Sequence, residues 1–105
     1  MAVKIDVDAA GEETLIRVEG DVDLYTSPEL RKAVLKAVPK AVSAVGVDLG
    51  GVTYMDSSGV ATLVEGLRSA NEHGKTFALV APSSSVMKVL ELARLDSVFE
   101  VRSAS

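Results

Sequence analysis

Short apolar runs alternate with segments of helical periodicity along most of this 105-residue chain. The runs typical of strands are Val45 to Leu49, Thr76 to Val80 and Val98 to Val101, and between them apolar residues recur every three or four positions. Parallel strands need a crossover connection between them, and that connection is usually a helix. The alternation therefore predicts an α/β fold with a mostly parallel sheet and helices packed on it.

The first twenty residues add an antiparallel pair to that sheet. Val3, Ile5 and Val7 alternate with charged residues, and a second alternating run covers Thr14 to Glu19. The short connection from Ala9 to Glu12 contains a glycine, so we predict a hairpin. The complete predicted order is β-β-α-β-α-β-α-β, with about five strands in one mixed sheet and Val45 to Leu49 as its central strand.

Length and composition limit the chain to one domain. We assign residues 1–105 to it, with a core from about 3 to 101, because 48% of the residues are hydrophobic and no linker or repeat interrupts them. No apolar run approaches the roughly 18 residues that span a bilayer, so we expect no direct membrane insertion. The net charge of −4 disfavours a nucleic-acid module. The absence of cysteine is consistent with a cytoplasmic location.

Loop and cap residues divide the remaining chain. Gly20 to Asp23 predicts an acidic loop, and Thr26-Ser27-Pro28-Glu29 predicts a helix start with either Thr26 or Ser27 as the cap. Pro39 marks the last turn in which that helix is expected. Gly50-Gly51 indicates either a turn or a close approach of the backbone. The next helix is expected from about Ser57 to His73, ended by Gly74.

The junction Asp56-Ser57-Ser58 combines a carboxylate and two hydroxyls where a strand ends and a helix begins. The first backbone N–H groups of a helix lack partners and carry the positive end of its dipole, so this position stabilises negative charge. One interpretation is that Ser57 presents an exposed hydroxyl for phosphorylation. The other is that Asp56 and the serines form an ordinary N-cap, which these residue types prefer. The local sequence leaves both open.

An enzymatic function has little support in these residues, and we predict no catalytic residue, metal or cofactor. The only histidine, His73, lies about 24 Å from Ser57 along the predicted helix, too far to act as its base. No nucleophile elbow, phosphate-binding loop or zinc motif occurs. Asp21 and Asp23 are a carboxylate pair, but a solvated loop accounts for them better than a metal site.

Several motifs in order resemble the STAS domain, the family of anti-sigma factor antagonists. Gly20 to Asp23 precedes the first helix, Val47-Asp48-Leu49 leads into Val52 to Gly59, Gly74-Lys75 precedes the next strand, and Leu90 to Asp96 closes the last helix. The resemblance extends from Val3 to Val101. It implies a single-domain STAS fold and a partner-switching antagonist that binds an anti-sigma factor serine kinase, with a serine phosphatase acting on the phosphorylated form.

The resemblance also implies site residues. Ser57 is then the phosphorylated residue, with Ser58 as the second choice, and the acidic loop around Asp23 contacts the kinase. The residues expected to bind the partner are Asp21, Asp23, Tyr25, Thr26, Asp56, Ser57, Ser58, Gly59 and Val60. Antagonists often carry Gly-Leu-Gly after the serines, whereas this chain has Gly59-Val60-Ala61. Small STAS subunits of lipid-trafficking ABC transporters can carry alanine there, so an adaptor of that kind is the alternative.

Overall fold

A five-stranded sheet and three helices make up the protein, in the order predicted from the sequence. The structure, a computed structural model, describes residues 2–9 and 11–103. Its elements are β1 (Val3–Asp8), β2 (Glu13–Val22), α1 (Ser27–Lys40), β3 (Ala44–Met55), α2 (Ser57–Glu72), β4 (Thr76–Val80), α3 (Ser84–Leu92) and β5 (Glu100–Arg102). The predicted single-domain α/β fold is confirmed.

The strands lie in the sheet in their sequence order, from β1 at one edge to β5 at the other. β1 and β2 pair antiparallel, whereas β2, β3, β4 and β5 pair parallel. The opening hairpin and the central position of β3 are therefore as predicted. Because β2, β3 and β4 run parallel, the loops that leave their carboxyl ends emerge at one edge of the sheet.

The core forms where one face of the sheet meets the helices. Alternate β2 residues such as Ile16 and Val18 are buried, and the predicted apolar stripe of α1 is buried against them. The stripe of α2 is also buried at its central positions, including Leu63. Gly66 allows that close packing, because a Cβ built there would lie 2.7 Å from Val34 Cγ1 and 2.8 Å from Phe77 Cζ.

Two strands are longer than predicted. β3 runs through Gly50-Gly51 to Met55 without a turn, and β2 continues to Val22, so most of the predicted acidic loop is strand. The two extensions pair with each other through register shifts that begin after Arg17. Gly51 provides a close approach, since a Cβ on it would lie 2.7 Å from Glu19 Cγ. Of the two interpretations of this Gly-Gly pair, the close approach holds.

Smaller differences concern the helix and strand ends. Thr26 is the N-cap residue of α1 but makes no side-chain cap hydrogen bond, so the predicted capping box is absent; Pro39 lies inside the helix, which ends one residue later. α2 ends before Gly74, whose φ of +69° is the left-handed stop expected. The last strand begins at Glu100 rather than Val98, because Phe99 turns inward to contact Phe77. β5 ends at Arg102, one residue beyond the predicted end of the core; residues 104 and 105 and Ala10 lie outside the described part.

Candidate functional site

The loop after β2 and the junction after β3 meet at one edge of the sheet. The Asp56 backbone N–H donates to the Val22 carbonyl at 3.1 Å, and the Thr53 hydroxyl donates to Asp21 Oδ1 at 2.7 Å. The Leu24 backbone N–H lies close enough to the Asp56 carboxylate to help lower its pKa. The two segments therefore share an edge of the sheet and are linked directly by hydrogen bonds.

Asp56 is the N-cap residue of α2. Its Oδ1 accepts from the backbone N–H groups of Ser58 at 2.9 Å and Gly59 at 3.4 Å, and it also accepts from the Ser58 hydroxyl. These bonds satisfy helix donors that would otherwise lack partners. The Ser58 hydroxyl is the largest cause of a lowered pKa at Asp56, and the backbone donors add to it, whereas burial acts in the opposite direction. The cap interpretation thus holds for Asp56.

The two serines of the junction have different environments. Ser57 is the first residue of α2, its side chain is exposed, and its hydroxyl has no hydrogen-bond partner in the described part of the chain. The Ser58 side chain is half-buried, and its hydroxyl donates to Asp56. The capping role therefore leaves Ser57 available: the cap uses the residues on either side of it and does not involve its hydroxyl.

The turn after β2, from Asp23 to Thr26, is held by its own side chains. Asp23 Oδ1 accepts from the backbone N–H groups of Tyr25 at 2.9 Å and Thr26 at 3.0 Å. The Thr26 hydroxyl donates to the Asp21 carbonyl at 2.8 Å and accepts from the Asp23 backbone N–H at 2.9 Å. Thr26 is buried. Thr26 therefore shapes the turn that presents Leu24 and Tyr25, and its own contact with a partner stays a prediction.

Two further residues of the expected partner-binding set point into the core. Val60 is 6% exposed and belongs to the core cluster. Gly59 is buried against β2 and β3, since a Cβ on it would lie 2.6 Å from Met55 Cγ and 2.9 Å from Val22 Cγ1. The first turn of α2 packs these positions inward while Ser57 and Ala61 face outward, and a partner contact of Gly59 and Val60 stays a prediction.

Exposed apolar side chains at this edge extend the candidate site beyond the predicted set. Tyr25 is 86% exposed and Leu24 68% exposed, and Tyr54 near the end of β3 is half exposed. Tyr25 belongs to the set predicted from the sequence, whereas Leu24 and Tyr54 do not. The available signal for Leu24 was its position beside Tyr25, two large apolar residues in a row outside any strand or helix period; Tyr54 lies within β3 and had no such signal. We call Leu24, Tyr25, Tyr54, Ser57 and Ala61 the Ser57 surface.

The position of His73 bears on an enzymatic function, and the length of the helices bears on a membrane-spanning one. His73 follows the last residue of α2, is exposed, and lies with its Nδ1 2.7 Å from the Ser69 carbonyl oxygen. The sixteen-residue length of α2 keeps it away from Ser57, as predicted. Within residues 2–9 and 11–103, no helix combines the length and apolar character needed to cross a bilayer.

Comparison with known proteins identifies the family. A family model described as "Mlab, STAS domain" matches residues 5–101. An anti-sigma-B factor antagonist from Staphylococcus epidermidis is 28% identical over 86 residues, covering 82% of this chain and 80% of that protein.

Two solved structures are similar in fold. One is an anti-sigma factor antagonist from Mycobacterium paratuberculosis, with a TM-score of 0.86 and 23% identity over 96% of this chain and 86% of that one. The other is the Bacillus cell fate determinant SpoIIAA in its phosphorylated form, with a TM-score of 0.76 and 22% identity over 97% and 92% of the chains. Since the family model spans nearly the whole sequence, the chain belongs to the STAS domain family.

Proposed function

We propose that this chain is an anti-sigma factor antagonist that binds an anti-sigma factor serine kinase in the cytoplasm and is inactivated by phosphorylation at Ser57. The single observation that carries the proposal is the exposed, unbonded Ser57 hydroxyl at the start of α2, beside the exposed side chains of Leu24 and Tyr25. The similarity to anti-sigma-B factor antagonists supports the partner class. A serine phosphatase would restore the unmodified form.

The surroundings of Ser57 favour it over Ser58 as the phosphorylated residue. A kinase must reach a hydroxyl that can rotate toward its nucleotide, and Ser57 has no competing hydrogen bond among the described residues. Phosphorylation of Ser58 would remove the hydroxyl that donates to Asp56 and would place a phosphate against that carboxylate. Such a change costs a charge-assisted hydrogen bond and adds like-charge repulsion.

The Ser57 surface has the composition of a protein-binding site. Tyrosine is enriched where partners bind, because its ring buries apolar area while its hydroxyl keeps a polar partner. Asp23 and Thr26 hold the turn that carries Leu24 and Tyr25, so the loop is preorganised and loses little entropy on binding. We infer that the kinase packs on these two side chains while it reaches Ser57.

Phosphorylation would act on binding rather than on the fold. It adds about −1.5 to −2 charges beside Asp56, on a protein whose net charge is already −4. The N-terminus of α2 offsets part of that local cost, by about 0.3–1 kcal/mol at an exposed site. At an interface the same charge is unmatched, and an unpaired charge of this kind costs about 2–5 kcal/mol. The folded protein persists while its affinity for the kinase falls.

The phosphorylation site is tested by incubating the protein with its candidate kinase and ATP and mapping the phosphate by mass spectrometry. We expect Ser57→Ala to abolish modification and Ser58→Ala to retain it. Ser84→Ala is the matched control, because Ser84 is the exposed first residue of α3 but follows a different loop. Modification that persists in Ser57→Ala would refute the assignment.

The effect on binding is tested with Ser57→Asp, measured by calorimetry against the unmodified protein. We expect the thermal unfolding midpoint to stay near that of the wild type and the affinity for the kinase to fall at least tenfold, which corresponds to about 1.4 kcal/mol. Ser84→Asp, the same change at the start of α3, should leave affinity unchanged. Equal affinities of Ser57→Asp and the wild type would contradict the electrostatic mechanism.

An adaptor subunit of a lipid-trafficking ABC transporter is the second candidate function. The observation that favours it is Ala61, which is exposed on α2 four residues after Ser57 and therefore belongs to the surface a partner would contact. A pull-down from membrane and soluble fractions distinguishes the two functions. Recovery of a transporter ATPase that binds equally to wild type and Ser57→Asp would favour the adaptor over the antagonist.

A further inference from the structure

An open groove of about 500 Å³ lies between the edge strand β1 and helix α1, on a side of the fold that the Ser57 surface does not include. Its floor is apolar, formed by Ile5 and Val7 from β1 and by Ala33 and Ala37 from α1. Val7 is 52% exposed although it alternates with the other inward-facing residues of its strand. The short alanine side chains leave β1 and α1 incompletely packed here, and the groove is the result.

Three lysines line the groove along α1. Lys32, Lys36 and Lys40 recur every fourth residue, so they project from one face of the helix. None of them forms an ion pair with any residue the structure describes, whereas neighbouring Arg31 pairs with Glu65. In a protein with net charge −4, three unpaired cations beside an apolar floor are complementary to a ligand that is both apolar and anionic.

One end of the groove contains the hydroxyl of Thr14. Thr14 is 5% exposed, lines the groove, and has no hydrogen-bond partner among the residues described. No buried side-chain oxygen of the described residues lacks a partner, so the unbonded Thr14 hydroxyl is one that solvent reaches, and it can donate to a ligand oxygen there. Thr14 lies near the start of β2. Lys40 ends α1 shortly before β3, and the start of β3 pairs with the start of β2, so Thr14 and Lys40 lie at the same end of the groove. Glu29, at the start of α1, lines the opposite end.

We propose that this groove binds a long-chain carboxylate, with its carboxylate between Thr14 and Lys40 and its chain directed toward Ile5. Glu29 would repel an anion from the other end, which sets the orientation. The volume lies within the range of small-ligand sites, about 300–1,000 Å³. An α-helix as long as the segment from Glu29 to Lys40, about 18 Å long and at least about 10 Å across, would occupy roughly 1,400 Å³ or more, well over twice the groove, so a single acyl chain fits better than a docked helix.

The test uses dodecanoate as the probe, followed by ¹⁵N NMR of the full chain. We expect saturable binding, with amide shifts concentrated in β1, the start of β2 and α1. Lys36→Glu should weaken binding about tenfold, because it reverses one charge at the groove. Lys88→Glu is the matched control, because Lys88 is exposed on α3 and does not line the groove, and this variant should bind as the wild type does.

Two further variants separate the apolar and polar contributions. Thr14→Val preserves shape and should weaken the binding of both dodecanoate and dodecanol, because each has an oxygen that this hydroxyl can bond, whereas Lys36→Glu should weaken only dodecanoate binding. Ala33→Leu should block both ligands by filling the floor, and its folded state is checked by the same spectra. The proposal is overturned by the absence of saturable binding below about 1 mM, by shifts outside the groove, or by equal affinities of Lys36→Glu and Lys88→Glu. Groove shifts that depend on protein concentration alone would also overturn it, since they indicate a second copy of the chain.

Discussion

Replacing Asp56 with alanine removes the cap of α2 and tests how this junction is stabilised. The substitution deletes an oxygen that accepts from two backbone N–H groups, at 2.9 and 3.4 Å, and from the Ser58 hydroxyl. Loss of an aspartate cap costs about 0.5–2 kcal/mol, and the Ser58 hydroxyl also loses a charged acceptor. We therefore expect a loss of about 1–2 kcal/mol in the free energy of unfolding, or roughly 4–8 °C in Tm for each kcal/mol.

The contribution of Asp56 also depends on pH, in a direction set by its lowered pKa. Its ordinary pKa is 3.8, and the Ser58 hydroxyl together with the backbone donors lowers it in the folded protein. A carboxyl group with a lowered folded pKa contributes its full stabilisation above the unfolded value and loses it as the pH falls through the folded value. The difference in stability between wild type and Asp56→Asn should therefore shrink on acidification below about pH 4.

Urea denaturation at about pH 7 and about pH 2.5 measures both effects. Asp56→Asn keeps an oxygen acceptor but not the charge, so at neutral pH it should be more stable than Asp56→Ala and less stable than the wild type. Asp96→Ala is the control, because Asp96 is exposed and no described residue bonds to its side chain. A difference between wild type and Asp56→Asn that is the same at both pH values would refute this account of the cap.

Three other substitutions test the core, an ion pair and the Ser57 surface. Gly66→Ala should destabilise by about 1–2 kcal/mol in urea denaturation, since overpacking against Phe77 outweighs the gain in helix propensity; a stabilised variant would contradict this. Arg31→Met should cost less than about 1 kcal/mol, because the ion pair with Glu65 is exposed, and a larger loss would indicate buried packing. Tyr25→Ser should leave thermal unfolding unchanged and weaken kinase binding by about tenfold or more; unchanged affinity would remove Tyr25 from the binding surface.

The element order and the core of this protein could be predicted from the sequence because they depend on short-range periodicity. Alternation at Val3, Ile5 and Val7 identifies a strand, and a 3.6-residue stripe containing Leu63 identifies α2, whatever lies around them. The left-handed stop at Gly74 is equally local. The family resemblance rests on the same ordered segments, and it was confirmed by the match over residues 5–101.

The strand ends could not be predicted, because they depend on the neighbouring strand. Gly50-Gly51 carries no local signal that distinguishes a turn from a strand, and only the extended pairing of β3 with β2 makes it strand. The inward turn of Phe99 has the same origin, since Phe77 lies more than twenty residues away along the chain. Backbone pairing and side-chain contacts across the sheet decided these boundaries.

Some features of the candidate site could likewise be predicted from the sequence, whereas others could not. The sequence alone determined that Asp56 and Ser57 stand where a strand gives way to a helix, because cap residues and the onset of helical periodicity are local signals. Only the tertiary structure decided that Val60 faces the core, that Leu24 is exposed at the same edge, and that β1 and α1 leave a groove. These features follow from how α1, α2 and the sheet pack together, and packing between distant segments is not encoded in the periodicity of any one of them.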